Sequence, residues 1–361
     1  MNDANELISF IASMSGEGNL RVEENLGEGY VRLRVSEAER RQAKHDIQHV
    51  EDIVIEMLRN ARDAGADKVY LATTKEDGVR TLVFLDNGSG VPQDMQERIF
   101  DARVTSKLES MKMDRWGVHG RGMALFSIKQ NTDDARVVAS DVDLGSVFKV
   151  SVATDRLGER ADQSSWPQAV KDEDGHYVCA RGPHNIIRAA CEFALEELRA
   201  CDVYLGSPSE IAATLHAQAS SRLDASRLLF IDDEAELPVV DRLGLASDAE
   251  DFIRICSGLG LEMSERTAHR ILAGQIKPVR GVTARLLRER DSSSHASAPV
   301  DLAKDRRGLR IAKDDMAQFS RAVERDFNDL ASRYYLNLCG DPKIRVSRDR
   351  ITVTFDLAKE E

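Results

Sequence analysis

Glu56 and Asn60 stand four residues apart in EMLRNARDAGAD (Glu56–Asp67), and Asp63 follows one turn later. At helical spacing the carboxylate and the carboxamide project from one face. A carboxamide oxygen is a hard ligand that leaves a magnesium ion most of its waters and its phosphates. A carboxylate beside it can accept a proton from an attacking water. Ordinary solvated helix faces carry the same residue types, so this segment needs company. Asp86 opens DNGSGVP (Asp86–Pro92), directly after the strand-like TLVFL. A carboxylate at a strand end accepts a hydrogen bond from an exocyclic amine, and Gly88 and Gly90 let the backbone approach a flat base. Alone, DNG is a common turn signal. Third, GVHGRGMAL (Gly117–Leu125) sets Gly117, Gly120 and Gly122 ahead of an apolar helix. Glycines before a helix start form a nest of backbone N–H groups for phosphate. A dinucleotide fingerprint would need a strand just before it, and the preceding ESMKMDRW is polar. Taken in order, the three segments describe a magnesium–ATP pocket.

The elements that must position these residues can be read from periodicity. A hairpin is expected over residues 19–35, around Gly27-Glu28-Gly29. Ser36 suits an N-cap, with Glu37 and Glu39 in the first turn. One long helix is expected from there to Gly65, with the stripe Ile47, Val50, Ile53, Val54, Met57, Leu58 and Ala61. Strands at 68–73 and 81–85 flank the turn Glu76-Asp77-Gly78, and a short helix is expected at 94–101. A helix runs from Gly122 to about Lys129, and strands at 135–140 and 146–152 complete an α/β unit near residue 155. A short helix is also expected at 4–14.

RNARDAGADKV, LDNGSGVP, VTSKL and GVHGRGMAL resemble the GHKL superfamily: gyrase, the large heat-shock chaperone, sensor histidine kinases and MutL. They are most similar to the MutL branch, and they also resemble the topoisomerase VI B subunit. The resemblance covers roughly residues 40–155. It implies a Bergerat fold, an α/β sandwich whose mixed sheet carries helices on one face, with ATP between helices and a lid. By motif position it implies Glu56 as general base, Asn60 as magnesium ligand and Asp63 close to the base. Asp86 would hold the adenine amine, with Gly88 and Gly90 along the base. Gly117, Val118, His119, Gly120, Arg121, Gly122 and Met123 would wrap the phosphates, and Lys107 would be a lid residue near them. ATP and Mg2+ are the implied cofactors. Two positions depart from the MutL pattern: Arg121 and Arg59 stand where MutL proteins usually carry acids, and an extra glycine follows Arg121. A sensor kinase keeps its phosphoacceptor histidine on a separate upstream hairpin. Here His45 and His49 are expected on the helix that carries Glu56, as surface residues, so histidine kinase activity is not expected.

Beyond the pocket the pattern changes. Residues 156–180 are polar and read as a linker or irregular insertion, and 185–199 reads as an amphipathic helix. Residues 202–245 alternate short strands (VYLG, RLLFI) with a helix, and 249–288 reads as helical. DSSSHASA (291–298) is a flexible break. Asp314 or Asp315 caps a helix with the stripe Met316, Phe319, Val323, Phe327, Leu330 and Tyr334, and a hairpin at 343–355 closes the chain. The expected class is therefore α+β, divided into an ATP-binding domain (1–155), an α/β middle region (156–248) and a basic helical region (249–361).

Residues 252–313 hold 13 Lys/Arg against 6 Asp/Glu, a local balance of +7 in a chain of net charge −12. Such polarity suggests contact with a phosphate backbone. Within it FIRICSGLGLEMSERTAHRILAG has the rhythm of helix–turn–helix, with Ser264 capping a second helix that bears Arg266, His269 and Arg270. Lys277 and Arg280 continue the basic run. A solvated basic layer packed on an acidic domain would look the same in sequence. Lys277, Lys304 and Lys313 are candidates for the lysine that mechanical members of the superfamily send back to the γ-phosphate.

The five cysteines form no CxxC pair, which fits reduced thiols and a cytoplasmic setting. No apolar run approaches about 18 residues, and the N-terminus lacks the basic and apolar regions of a secretion signal. The expectation is an ATPase that forms a homodimer on binding ATP and acts on or with DNA. The alternatives are an ATP-gated, chaperone-like protein-interaction module and an ATP-binding regulator with weak hydrolysis. A nuclease metal motif is not found.

Overall fold

The computed structural model describes residues 22–106, 112–114, 117–119, 122–198, 200–223 and 233–287, and in the C-terminal part 316, 319–320, 323–324, 327, 336–340, 342–346 and 351–359. The expected helix at 4–14, the strand RLLFI, the caps Asp314 and Asp315, and Lys107, Gly120, Arg121, Lys304 and Lys313 lie outside the described residues. The chain divides into two compact units, residues 1–291 and 292–361. The boundaries expected near 155 and 248 fall inside the first.

The first unit is built on a five-stranded mixed sheet. Its strands are β3 (Lys68–Glu76), β4 (Val79–Asp86), β8 (Asp134–Ser140), β9 (Ser146–Ala153) and β12 (Asp202–Gly206), in the order β12-β3-β4-β9-β8. β12 runs parallel to β3, and the remaining neighbours are antiparallel. Asp77 and Gly78 both take positive φ (47° and 80°), as a two-residue hairpin turn between twisted strands requires. A smaller sheet, β1 (Val22–Gly27), β2 (Tyr30–Leu33) and β5 (Val104–Thr105), lies in the same unit.

The expected long helix is two helices. α1 (Glu37–Asp46) starts at a Ser36–Glu39 capping box, and α2 (Val50–Asp63) restarts after a break at 47–49. The break has a local cause. The Asp52 carboxylate accepts from the backbone N–H groups of Gln48 and His49, both at 2.8 Å, and the N–H of Val50 donates to the Gly158 carbonyl. These three donors are satisfied outside a continuous helix, so breaking it leaves little unpaired. His49 becomes the α2 N-cap and His45 stays exposed on α1. Neither histidine belongs to the body of the helix that carries Glu56.

Strand alternation sorts the sheet residues by face. Val69, Leu71, Leu82, Phe84, Phe148 and Val150 face one core, shared with α2, α3 (Ala124–Asn131) and α4 (Ile186–Glu196). Tyr70, Ala72, Val83, Leu85 and Val147 face a second core, shared with α5 (Pro208–Arg222), α6 (Ala249–Gly258) and α7 (Glu265–Leu272). The α+β class and the mixed sheet match the sequence reading. That reading put helices on one face within residues 1–155, where α2 and α3 lie; the other face is covered by α5, α6 and α7, from beyond residue 155. The reverse layer comes from segments distant in sequence.

The polar stretch 156–180 is ordered. It holds a hairpin, β10 (Gln168–Lys171) with β11 (Tyr177–Arg181), tied down by polar side chains. Asn185 is wholly buried. It caps α4 and donates to the carbonyls of Asp162 and Ser165. Glu51 on α2 accepts from the Arg160 N–H and the Gln163 amide. Likewise the expected helix at 94–101 is two 3₁₀ turns, Gln93–Met95 and Arg98–Phe100. The second unit contains the expected closing hairpin, β14 (Lys343–Val346) with β15 (Ile351–Thr354). It also pairs β13 (Leu336–Leu338) with β16 (Leu357–Lys359), and Phe327 stacks on Phe355 at 4.0 Å.

Phe252 on α6 is fully buried in the second core. Phe252→Ala should lower the stability of the first unit by about 3–5 kcal/mol. Urea unfolding should show a lower midpoint with little change in slope.

Candidate nucleotide site

α2 lays its apolar stripe on the sheet: Val50, Ile53, Val54, Met57, Leu58 and Ala61 are all buried. Each of these apart from Ala61 contributes about 1.5–3 kcal/mol on burial, far more than the propensity differences along the helix. With that stripe committed to the core, the edge carrying Glu56, Asn60 and Asp63 turns toward a cleft of about 570 Å3. That volume is within the range of about 300–1,000 Å3 usual for small-molecule sites.

The cleft floor comes from two strands. Phe84 and Asp86 are i and i+2 on β4, so they share a face, and they pair across the ladder with Phe148 and Ser146 of β9. All four line the cleft. Asp86 is 3% exposed, and its Oδ1 accepts from the Gly88 N–H at 2.9 Å. An apolar platform ending in a buried carboxylate suits a flat ring bearing an exocyclic amine. Met57, Val91, Ile99 and Val104 add to the apolar wall.

The loop after β4 is held by close backbone packing. A Cβ on Gly90 (φ +70°) would sit 1.8 Å from the Asp141 carbonyl oxygen. A Cβ on Gly88 would sit 2.8 Å from the Ala64 oxygen at the end of α2. Gly90 lines the cleft, whereas Gly88 is buried behind it and serves packing. Asn87 staples the same loop to the start of β3, accepting from the backbone N–H groups of Asp67 and Lys68.

The far rim is Gly122, Met123 and the first turn of α3, with Ala124, Leu125 and Ser127. Gly122 has φ +67°, and its carbonyl accepts from the Arg103 N–H at 2.8 Å. α3 thus opens at the cleft rim, and a helix N-terminus is a favourable place for an anion. Within the glycine segment, Gly117, Val118 and His119 form a strand, β7 (Gly117–His119), paired with β6 (Lys112–Asp114).

The charges of the cleft are organised in pairs. Arg59, which sequence reading noted only as a departure from a family pattern, is 3% exposed and donates to Glu56 Oε1 from Nη1 at 2.6 Å. Glu56 is 22% exposed. Asp63 is bound by Arg62 at 3.1 Å, and Arg62 in turn reaches Glu197 at 3.0 Å. Burial works against the Arg62 charge, but the hydrogen bond that Arg62 donates to Glu197 and the charge of Asp63 outweigh it and hold its pKa above the ordinary value. Burial likewise pushes the Tyr30 phenol at the cleft edge up, opposed by a hydrogen bond with Ser106. Asp46, Glu56, Asp63 and Asp86 make the lining acidic. An anionic triphosphate would enter such a cleft with a divalent cation, not alone. Among the described residues no group of three His, Cys, Asp or Glu could hold a metal ion. The Asn60 amide, with the ligand's own phosphates, is a donor set that fits magnesium.

Residues 47–140 match the family described as "Histidine kinase-, DNA gyrase B-, and HSP90-like ATPase". These residues form a GHKL-type ATPase domain. The chain is also 28% identical over 136 residues to the DNA mismatch repair protein MutL of Staphylococcus aureus strains Newman, N315 and COL, with 35% of this chain aligned. The match spans 20% of the length of those relatives. The family match of the GHKL domain ends at 140, before β9. Yet β9 lies between β4 and β8 and supplies Ser146 and Phe148 to the cleft, so the domain closes only with residues beyond the match.

The second group of candidates lies on the reverse face. Ser264 caps α7, accepting from the Thr267 N–H, and the chain between α6 and α7 turns at Gly260 (φ +69°). α7 buries Ala268 and Ile271 and leaves Arg266, His269 and Arg270 exposed. Lys277 and Arg280 are exposed in the following loop. Ile276 and Val279, on either side of Lys277, pack on the second core. Lys277 therefore belongs to the face opposite the cleft and is removed as a candidate for the γ-phosphate. No helix among the described residues is long and apolar enough to cross a membrane.

Gly90→Ala should destabilise the first unit by at least about 1 kcal/mol, since the new methyl meets a backbone carbonyl and the backbone is left-handed. A lowered thermal midpoint, with no ligand added, checks this.

Proposed function

We propose that the GHKL domain binds Mg–ATP in this cleft and hydrolyses it. The observation that carries the reading is the convergence on one cleft of the Phe84–Phe148 platform with buried Asp86, the Glu56–Asn60 edge of α2 and the open first turn of α3. Asp86 accepts the exocyclic amine of adenine, and the aromatic floor takes the ring. Asn60 is the magnesium ligand, and the Gly122–Met123 rim with α3 faces the phosphates. Magnesium, when bound, neutralises phosphate charge as the γ-phosphoryl group transfers. Glu56 takes the proton of the attacking water, and Asp63, fixed by Arg62, stands one turn away. Histidine kinase activity is not part of this reading.

ATP binding gates association of two copies, and the exposed basic edge of α7 (Arg266, His269, Arg270) with Lys277 and Arg280 contacts the phosphate backbone of DNA. The MutL relatives, named as DNA mismatch repair proteins, support this part. The protein acts in the cytoplasm.

Glu56→Gln should leave ATP binding intact and lower turnover by a factor of about 10²–10⁴. Asp86→Ala should instead weaken ATP binding by more than about tenfold, since a bond to a charged group is worth about 1.5–3 kcal/mol. Equilibrium binding of a fluorescent ATP analogue and a phosphate-release assay separate the two, and equal turnover in wild type and Glu56→Gln would remove Glu56 from the role of base. DNA should raise turnover of the wild type in a salt-sensitive way, and Arg266→Glu with Arg270→Glu should abolish that rise. Turnover raised by a protein client, with no effect of DNA, would favour the chaperone-like reading.

A further inference from the structure

The ion pair between Arg59 and Glu56 has a chemical consequence for the base. Both residues are on α2, three apart, so their contact depends on no moving element. Arg59 is almost wholly buried, and a guanidinium does not deprotonate in a protein. A permanent cation therefore sits 2.6 Å from one oxygen of Glu56. One turn on, Asp63 holds Arg62, and Arg62 also reaches Glu197.

In the proposed reaction one O–H bond of water breaks and its proton moves to the Glu56 carboxylate. The water oxygen bonds to the γ-phosphorus, and the bond to the bridging oxygen breaks, leaving ADP with the electron pair. As the proton arrives, the carboxylate loses the negative charge that the guanidinium stabilises. The ion pair is thus stronger in the ground state than in the transition state, and such an interaction raises the barrier. It leaves ATP affinity nearly unchanged, since Glu56 accepts its proton only during chemistry.

We propose that Arg59 is a built-in brake on Glu56, a positioning residue that slows hydrolysis and prolongs the ATP-bound state. This rests on the reading of the cleft as an ATPase site. Anything that draws the guanidinium away from Glu56 would release the brake.

The test is steady-state hydrolysis by the full chain, with ATP affinity measured separately by a fluorescent analogue. Arg59→Gln should raise kcat on the order of tenfold, the equivalent of losing part of one charged hydrogen bond, with KM and analogue affinity within about twofold of wild type. Arg59→Met, of similar length and apolar, should give the same rise, and it decides the matter if the glutamine variant does not fold. Arg59→Lys keeps a cation but loses the planar donor fork, and should fall between wild type and Arg59→Gln. In a Glu56→Gln background, Arg59→Gln should change residual turnover by less than about twofold, because no base remains to be restrained. An unchanged or lower kcat in folded Arg59→Gln and Arg59→Met overturns the proposal, and a weakened ATP affinity overturns it in favour of a phosphate contact. If the wild type binds no ATP, or if Glu56→Gln turns over like wild type, the site reading itself fails and the Arg59 proposal falls with it.

Discussion

Burial of the α2 apolar stripe against the five-stranded sheet is the constraint on which the rest depends. It sets the rotation of the helix, and rotation decides which residues meet the cleft. With Ile53, Met57 and Leu58 committed to the core, Glu56 and Asn60 have one place to point. The break at 47–49 serves the same end. Released from α1, α2 can seat its own stripe, and the Asp52 carboxylate takes up N–H groups that the break exposes. The Asn87 staple and the tight approach of Gly88 to Ala64 then fix the Asp86 loop against the C-terminal end of the same helix. Helix and loop are positioned as one piece.

The sheet transmits this order in both directions. Its front face carries Phe84, Asp86, Ser146 and Phe148 into the cleft, and its reverse face carries Tyr70, Val83, Leu85 and Val147 into the α5–α7 layer. Lys149 of β9 adds a polar tie at 2.8 Å to Glu262, in the turn before α7. The strand that supplies the cleft floor is therefore also the strand on which the basic helix is anchored. A rigid, shared β9 gives the two faces a physical connection, which separate domains would not have.

Much of the front of the cleft was legible in the sequence. The i, i+4 spacing of Glu56 and Asn60 and the strand end at Asp86 rest on local periodicity, which survives folding. The capping residues Ser36, Asn185 and Ser264 announced helix starts because they act within a few residues. Asn87, Ser89, Thr105, Ser146 and Phe148 were not legible as site residues. Each reaches its place through a loop closure or a strand pairing that links distant segments. The order of residues 156–180 was hidden for the same reason: polar composition reads as linker, and the partners that hold it, Asn185, Glu51, Arg80 and Arg188 among them, lie outside the stretch.

By itself, then, the sequence determined the class of chemistry. A carboxylate and an amide on one helical face, a carboxylate at a strand end and a glycine-rich approach to a helix are local patterns, and local patterns are set by backbone geometry. Only the tertiary structure decided that Gly117 to His119 form a strand, that Lys277 lies behind the sheet, and that both sheet faces are covered. It also decided that Arg59 is a buried counter-ion of Glu56. Sequence spacing allows Arg59 and Glu56 to meet, but burial decides it, because a guanidinium shut away from water must keep an anion beside it.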